Sequence, residues 1–492
     1  MRCAVHVIGY QEGEDSKYYK VVADCKHYAG YDVEVRTAQH HSHSHRSSHA
    51  AGPVCSSLLT SRSAVCVGCI QNWGNNLRYG YNAIISTQDL VETYLPSFKS
   101  CLKDAKVGSA MCSYNAVNGV PACANNFLMN EVARDRWGWE GWITSDCGAV
   151  SGIFDNHHYV QNHSAQVAVT LRGGCDIGCD SALTQYGEQA YADGSIDDYD
   201  LDLAMTRQFA SLVRLGYFDS PANQPYRHYG HERVATPLAR HLSMRAALES
   251  IVLLKNDGTL PLDMSAVSTI ALIGPNANGS DSQIGNYNGT ACFMHTALES
   301  MQAMPGVTVN YAFGAEVNGT SQAGFKAAIA AAQSADIIVY VGGINQTIES
   351  EGNDRNTIDL PGQQIALIQQ LAQVGKPFIV VLWGGGGMDV SDARDNKAVN
   401  AMIWQGYPSQ SGGDALVDVL FGGWAPAGRL PVTWYPASYV DAVPMTDQSM
   451  RASEGNPGRT YKSAPPHHSA DCTDCACRSR TTSSSYLTMF LL

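Results

Sequence analysis

The chain has 492 residues, 45% of them hydrophobic and 16% charged, enough apolar material to bury more than one core. Its formal net charge of −13 at pH 7 argues against nucleic acid or an anionic membrane surface as a partner and favours a neutral substrate. No run of about 18 apolar residues occurs, so nothing reads as membrane-crossing, and the opening residues MRCAVHVIGYQEGEDSK do not read as the apolar part of a signal peptide.

Residues 20–26 read as an apolar strand that delivers Lys26 and His27 to its end, where a Lys-His pair can donate hydrogen bonds to hydroxyl groups. Without a wider pattern, a surface lysine beside a packed histidine fits equally well. Residues 35–71 are rich in His and Ser and carry no usable periodicity. His40, His41, His43, His45 and His49, with Cys66 and Cys69, are metal-ligand types, yet low-complexity histidine without an orienting partner is weak ground for a site. No metal and no other cofactor is expected. Ser86 or Thr87 caps a helix on which Leu90, Tyr94, Phe98 and Leu102 share one face, and 106–112 follow as a strand.

Residues 111–150 are the densest in chemistry. Asn118-Gly119-Val120-Pro121 signals a loop, 126–137 a helix, Gly138 a turn, and 141–145 a buried strand that ends on Asp146. A carboxylate just past an apolar strand stands where parallel α/β enzymes place catalytic groups. Cys112 and Cys123 flank the loop, and Cys175 and Cys179 have the spacing C-x3-C; all read as structural, with connectivity open. Residues 196–215 are amphipathic, and 220–232, with Pro221 and Pro225, read as a linker.

Beyond it, 246–257 read as a helix running into a strand. Apolar runs at 269–273, 337–341, 378–382 and 401–404 then alternate with helical stretches such as 324–335 and 361–374. Unbroken apolar strands argue for a parallel sheet covered on both faces. Gly342-Gly343 and Gly384-Gly385-Gly386-Gly387 follow strands but lack the Lys-Ser/Thr of a phosphate loop and the spaced pattern of a dinucleotide fold. They are better read as places where backbone approaches closely.

Three strings carry a wider resemblance: Lys26-His27-Tyr28-Ala29-Gly30-Tyr31-Asp32, Met111-Cys112-Ser113-Tyr114-Asn115-Ala116-Val117-Asn118-Gly119 and Ser145-Asp146-Cys147-Gly148-Ala149-Val150. Together they resemble glycoside hydrolase family 3, and most of all its fungal β-xylosidases, over roughly 16–34 and 72–461. The resemblance implies a partial (β/α)8 barrel over 1–219 and, past the linker, an α/β sandwich domain with a mostly parallel sheet over 233–461; 462–492 form a tail without pattern. It implies Asp146 as the nucleophile and Glu351, from the Glu351-Gly352-Asn353-Asp354-Arg355 string, as the acid/base, with Glu349 as the alternative. Lys26 and His27 would hold the sugar ring, and Tyr114 would line the site.

Burial between the domains is expected to raise the pKa of the acid, while Asp146 stays ionised beside Lys26 and His27. Asp354 and Arg355 are expected to pair and anchor the loop. The substrate implied is a xylooligosaccharide or a xylan chain end, cleaved with retention through a glycosyl-enzyme. Cys147-Gly148 stands after the nucleophile where the family's β-glucosidases often carry Trp. β-Glucosidase, α-L-arabinofuranosidase and an inactive sugar-binding fragment are the alternatives.

Segment 35–71 interrupts the family's run from Tyr31-Asp32 into Trp73-Gly74-Asn75 and is expected to be a translated intron, absent from a spliced message. Met1 falls inside the family's barrel, so early strands and a signal peptide are expected upstream, and the chain as written is expected to have little activity. Sequons at Asn162, Asn278, Asn288, Asn318 and Asn345 fit a secreted glycoprotein.

Overall fold

The computed structural model describes residues 2–34 and 77–463. The suspected intron, its histidine cluster and Cys66/Cys69, and the tail beyond 463 lie outside the described residues.

The first domain is organised on three parallel strands, β1 (Asp24–Tyr28), β2 (Ser109–Cys112) and β3 (Trp142–Ser145), hydrogen-bonded in the order β1-β2-β3. β1 begins later than the apolar run suggests, because its ladder starts where Asp24 meets Ser109, so Lys26 and His27 lie within the strand rather than at its end. Residues 174–177 form no strand of their own; Ile177 adds a single parallel bridge to Thr144. The helical stretch that opens at Thr87 is capped by Ser86, whose hydroxyl accepts from Asp89 N at 3.0 Å. It lays Leu90, Tyr94, Phe98 and Leu102 on a core that includes Tyr28, Ile143 and Ile153.

Disulfides Cys25–Cys101, Cys112–Cys123 and Cys147–Cys179 tie strand ends to neighbouring segments. The C-x3-C pair is therefore split. Cys179 bonds Cys147, and Cys175 stays a buried thiol whose Sγ lies 3.7 Å from Cys112 Sγ.

Single helical turns, Pro221–Asn223, Pro225–His228 and His231–Arg233, lead to helix Pro237–Ser250 and the second domain. Its six-stranded sheet contains β4 (Val252–Asn256), β5 (Thr269–Ile273), β6 (Thr308–Ala312), β7 (Ile337–Gly343), β8 (Phe378–Trp383) and β9 (Ala401–Gly406) in the order β4-β9-β8-β7-β5-β6. Every pair is parallel except β4 with β9.

The unbroken apolar character of the central strands follows from period-two alternation between two covered faces. Ile337, Val339 and Val341 pack with Leu298, Met301, Leu416 and Val419 on one side. Ile338 and Tyr340 pack with Phe325, Ala328, Leu367 and Leu371 on the other. At the strand tips, Gly343 has φ +115°, and a Cβ there would collide with the Trp383 carbonyl, so glycine is required where β7 and β8 close together.

Two sets of contacts join the domains. Glu34 N donates to Asp354 Oδ2 at 2.8 Å, and Gly352 N donates to Glu34 Oε2 at 3.0 Å. On another side, residues 444–461 return across the first domain: Tyr81 Oη donates to Thr446 O and Tyr94 Oη to Gln448 O, both at 2.8 Å. Arg451 pairs there with Asp89 and, at 2.7 Å, with Glu92.

Candidate active site

Past the carboxyl ends of β1, β2 and β3, the loops that leave β5 and β7 of the second domain meet the first, and titratable side chains gather between them. Asp146 follows β3; its N–H donates to Cys112 O at 3.0 Å, and its Oδ1 accepts from Cys147 N at 2.8 Å. Its Oδ2 is buried without a hydrogen-bond partner among the described residues and faces His27 Nε2 at 3.3 Å. A buried carboxylate oxygen left unbonded is costly, and it is what a nucleophile needs to present. Burial holds His27 below the ordinary imidazole value, against the pull of Asp146, so its neutral form is favoured.

Glu351 sits in the loop after β7. Its Oε1 lies 3.3 Å from Arg78 Nη1, and its Oε2 accepts from Tyr287 Oη. The expected raised pKa is not found. With its side chain 37% exposed, Glu351 is held below the usual glutamate value by the Tyr287 hydrogen bond, burial opposing, and then by Arg78 and Lys26. The reason is physical: two donors and a nearby ammonium outweigh partial desolvation. His27 feels both Asp146 and Glu351, so the two carboxylates share one field.

Glu349, the alternative acid, is fully engaged. It accepts from Gly385 N at 2.8 Å and Tyr407 Oη at 3.0 Å and pairs with Arg355 at 3.3 Å. Arg355 thus anchors the loop through Glu349 and the Gly387 carbonyl, which it reaches at 2.9 Å, while Asp354 ties the loop to Glu34.

Tyr114 donates its hydroxyl to Cys147 O at 3.0 Å, beside the nucleophile, and its ring meets those of Tyr79 and Tyr31 edge-on with centroids 4.7 and 5.9 Å away. Lys26 Nζ stands 4.6 Å over the Tyr287 ring.

Lys26, His27, Tyr114, Asp146 and Glu351 are therefore brought to one place. Arg78, Glu34 and Tyr287 join them without having been singled out in the sequence. Arg78 is the hub: it donates to Glu34 at 2.8 Å and to Tyr79 Oη at 2.8 Å, reaches Glu351, and lies 5.0 Å from the Tyr114 ring centre. Arg78 lies three residues past the Trp73-Gly74-Asn75 run at which the family resemblance resumes, a signal that was there to use. Tyr287 had none. Among the described residues, Cys112, Cys123 and Cys175 are the cluster with metal-ligand spacing, and two of the three are already joined as a disulfide.

The fold and site define a class: a two-domain α/β protein in which each domain offers a carboxylate at the carboxyl ends of parallel strands. Residues 78–209 match the N-terminal domain of glycosyl hydrolase family 3 and residues 251–467 its C-terminal domain, and the chain belongs to that family. It is 45% identical over 465 residues to a probable exo-1,4-beta-xylosidase, bxlB, of Aspergillus terreus, a match that covers 94% of this chain and 56% of that protein. A solved GH3 exo-beta-xylosidase, XlnD, in complex with a xylobiose aziridine activity-based probe superposes with a TM-score of 0.82 at 39% identity, covering 94% of this chain and 55% of that one. A β-glucosidase of Erythrobacter marinus superposes with a TM-score of 0.71 at 27% identity, over 88% of this chain and 56% of that one. The chain spans about half the length of the curated relatives it matches.

Proposed function

We propose that this chain carries the chemistry of a retaining, exo-acting β-1,4-xyloside hydrolase, acting on xylooligosaccharides and xylan chain ends. The observation that carries the reading is the Asp146 carboxylate, its Oδ2 unbonded at a strand end 3.3 Å from His27, with Glu351 brought to the same place by Arg78, which lies 5.0 Å from the ring centre of Tyr114 beside the nucleophile. The xylosidase names of the relatives support the sugar.

In this reaction Asp146 Oδ2 attacks the anomeric carbon as the bond to the leaving oxygen breaks, and the proton of Glu351 passes to that oxygen. Glu351, now a carboxylate, takes a proton from water, whose oxygen displaces the Asp146 ester and restores the carboxylate. Two displacements preserve the anomeric configuration. Lys26 and His27 donate to the sugar hydroxyls, with neutral His27 suited to donate from one ring nitrogen. A pentopyranose lacks the hydroxymethyl group, so a pocket for it can be closed at that carbon where a glucosidase must leave room.

The test uses two variants. Asp146→Ala is expected to abolish labelling by a xylobiose aziridine probe. Glu351→Ala is expected to retain cleavage of xylosides with very good leaving groups, to lose that of poor ones, and to be rescued by azide. Wild-type rates of Glu351→Ala on poor leaving groups would overturn the acid assignment. Turnover of aryl glucoside or arabinofuranoside above aryl xyloside would overturn the sugar.

Secretion and glycosylation form part of the same reading. Asn162, Asn278, Asn288 and Asn318 are exposed, and the disulfides fit an oxidising compartment. Mass spectrometry of the protein isolated from its source, before and after treatment with an endoglycosidase, checks it.

A further inference from the structure

We propose that Tyr287 is the positioning residue for Glu351, holding the carboxyl over the sugar site through its hydroxyl while its ring closes the Lys26 side. The inference rests on the reading of Glu351 as acid/base.

Tyr287 lies between the turn Asp281–Gln283 and the helix Ala297–Gln302, in a stretch without regular structure. Two features of the residue make no sense as packing. The residue is left 75% exposed, and its φ of +55° places it in the left-handed region, which costs a residue with a Cβ. Such a conformation persists when surrounding contacts fix it, and it gathers at working sites. The contacts here are functional ones. The Tyr287 hydroxyl donates to Glu351 Oε2, and the Lys26 ammonium lies 4.6 Å over the ring, so one exposed side chain of the second domain touches a candidate acid and a candidate sugar donor of the first.

Among the described residues, several elements bring a charged or titratable group toward Glu351. Tyr287 comes from its own loop, Arg78 from helix Leu77–Gly80, Lys26 and His27 from β1, Glu34 from the segment after β1, and Asp146, farther off, acts on Tyr287. Arg78 is a guanidinium that reaches Glu351 at 3.3 Å and Glu34 at 2.8 Å, and the Lys26 side chain stands over the Tyr287 ring. Of the groups that hydrogen-bond Glu351, Tyr287 is the neutral one and Arg78 the charged one, so the Tyr287 bond can be exchanged for the leaving oxygen of a sugar without moving a charge. With the bond made, Glu351 is favoured as a carboxylate. When the leaving oxygen takes the place of the phenol, that support is withdrawn and Glu351 holds its proton for transfer.

The test is a carboxyl titration by carbon-13 NMR of the full chain labelled at glutamate, with the Glu351 signal assigned by its loss in Glu351→Gln. Tyr287→Phe keeps the ring, the exposure and the Lys26 contact and removes only the hydroxyl. Glu351 is expected to titrate below an ordinary glutamate in the wild type and at higher pH in Tyr287→Phe, with the alkaline limb of kcat/KM on xylobiose moving the same way. A Glu351 signal that titrates at the same pH in both proteins overturns the proposal, whether or not xylobiose is cleaved. A titration that moves while Glu351→Gln cleaves xylosides with poor leaving groups at the wild-type rate keeps the Tyr287 contact and overturns the acid/base reading instead.

Discussion

Glu349 and Glu351 are two residues apart and differ in what surrounds them. Glu349 is spent on Gly385, Tyr407 and Arg355, three partners that close its loop, so Glu349→Ala is expected to cost about 1–3 kcal/mol of stability and to lower Tm. Glu351→Ala removes a partly exposed group and is expected to leave Tm near the wild-type value while turnover of poor leaving groups collapses. Thermal denaturation beside kinetics separates the two roles. Glu351 is held low and is ionised at neutral pH, so its acid form grows as pH falls. Cleavage of xylobiose is expected to rise from pH 7 toward acid, and a xyloside with a very good leaving group to rise less; pH profiles of kcat/KM on both check the sign. Asp146 and Glu351 were legible because each sits in a short contiguous string. Tyr287 was not, since its meaning comes from a partner far away in the sequence, and the raised pKa expected of Glu351 failed because donors from two other segments meet it and the Lys26 charge adds to them.

Among the elements, those buried on both sides are the ones the sequence shows. The runs at 269–273, 337–341, 378–382 and 401–404 are the central strands, lengthened by up to two residues at the tips. β6 escaped notice because it is an edge strand with exposed Thr308 and Tyr311, and its alternation is weak. β1 was misplaced because it reads Asp-Cys-Lys-His-Tyr, polar where it lines the site, while the apolar residues ahead of it lie outside the ladder. The loop that carries Tyr114 is held by Cys112–Cys123 and by His157, whose Nε2 lies 2.8 Å from Tyr114 O. Replacing both cysteines by serine is expected to cost roughly 2–4 kcal/mol, read as a lower urea midpoint. The double change is needed because Cys175 stands within reach of a widowed Cys112.

At the scale of the molecule, separate cores form the two domains, one around Tyr28, Leu102 and Ile143, the others on the two faces of the larger sheet. On the proposed reading the two carboxylates come together only where the two domains meet, so domain registration is expected to govern activity. Glu34 is central to it, since it accepts from both Arg78 and Gly352. Glu34→Ala is expected to lower kcat on xylobiose at least tenfold, about 1.4 kcal/mol in the barrier, with little change in the far-ultraviolet circular dichroism. Unaltered kcat would mean that the loop keeps its place without the latch.

The return of residues 444–461 to the first domain gives the polypeptide the layout of a belt: it leaves the first domain at the single turns near 221–233, builds the second, and buckles back onto Asp89, Glu92 and Tyr94. A belt can be cut without falling off. A specific protease site placed among the exposed residues 229–232 is expected to yield two pieces on a denaturing gel that elute as one particle on a sizing column, and adding Arg451→Ala to the cut chain is expected to let them part sooner in urea.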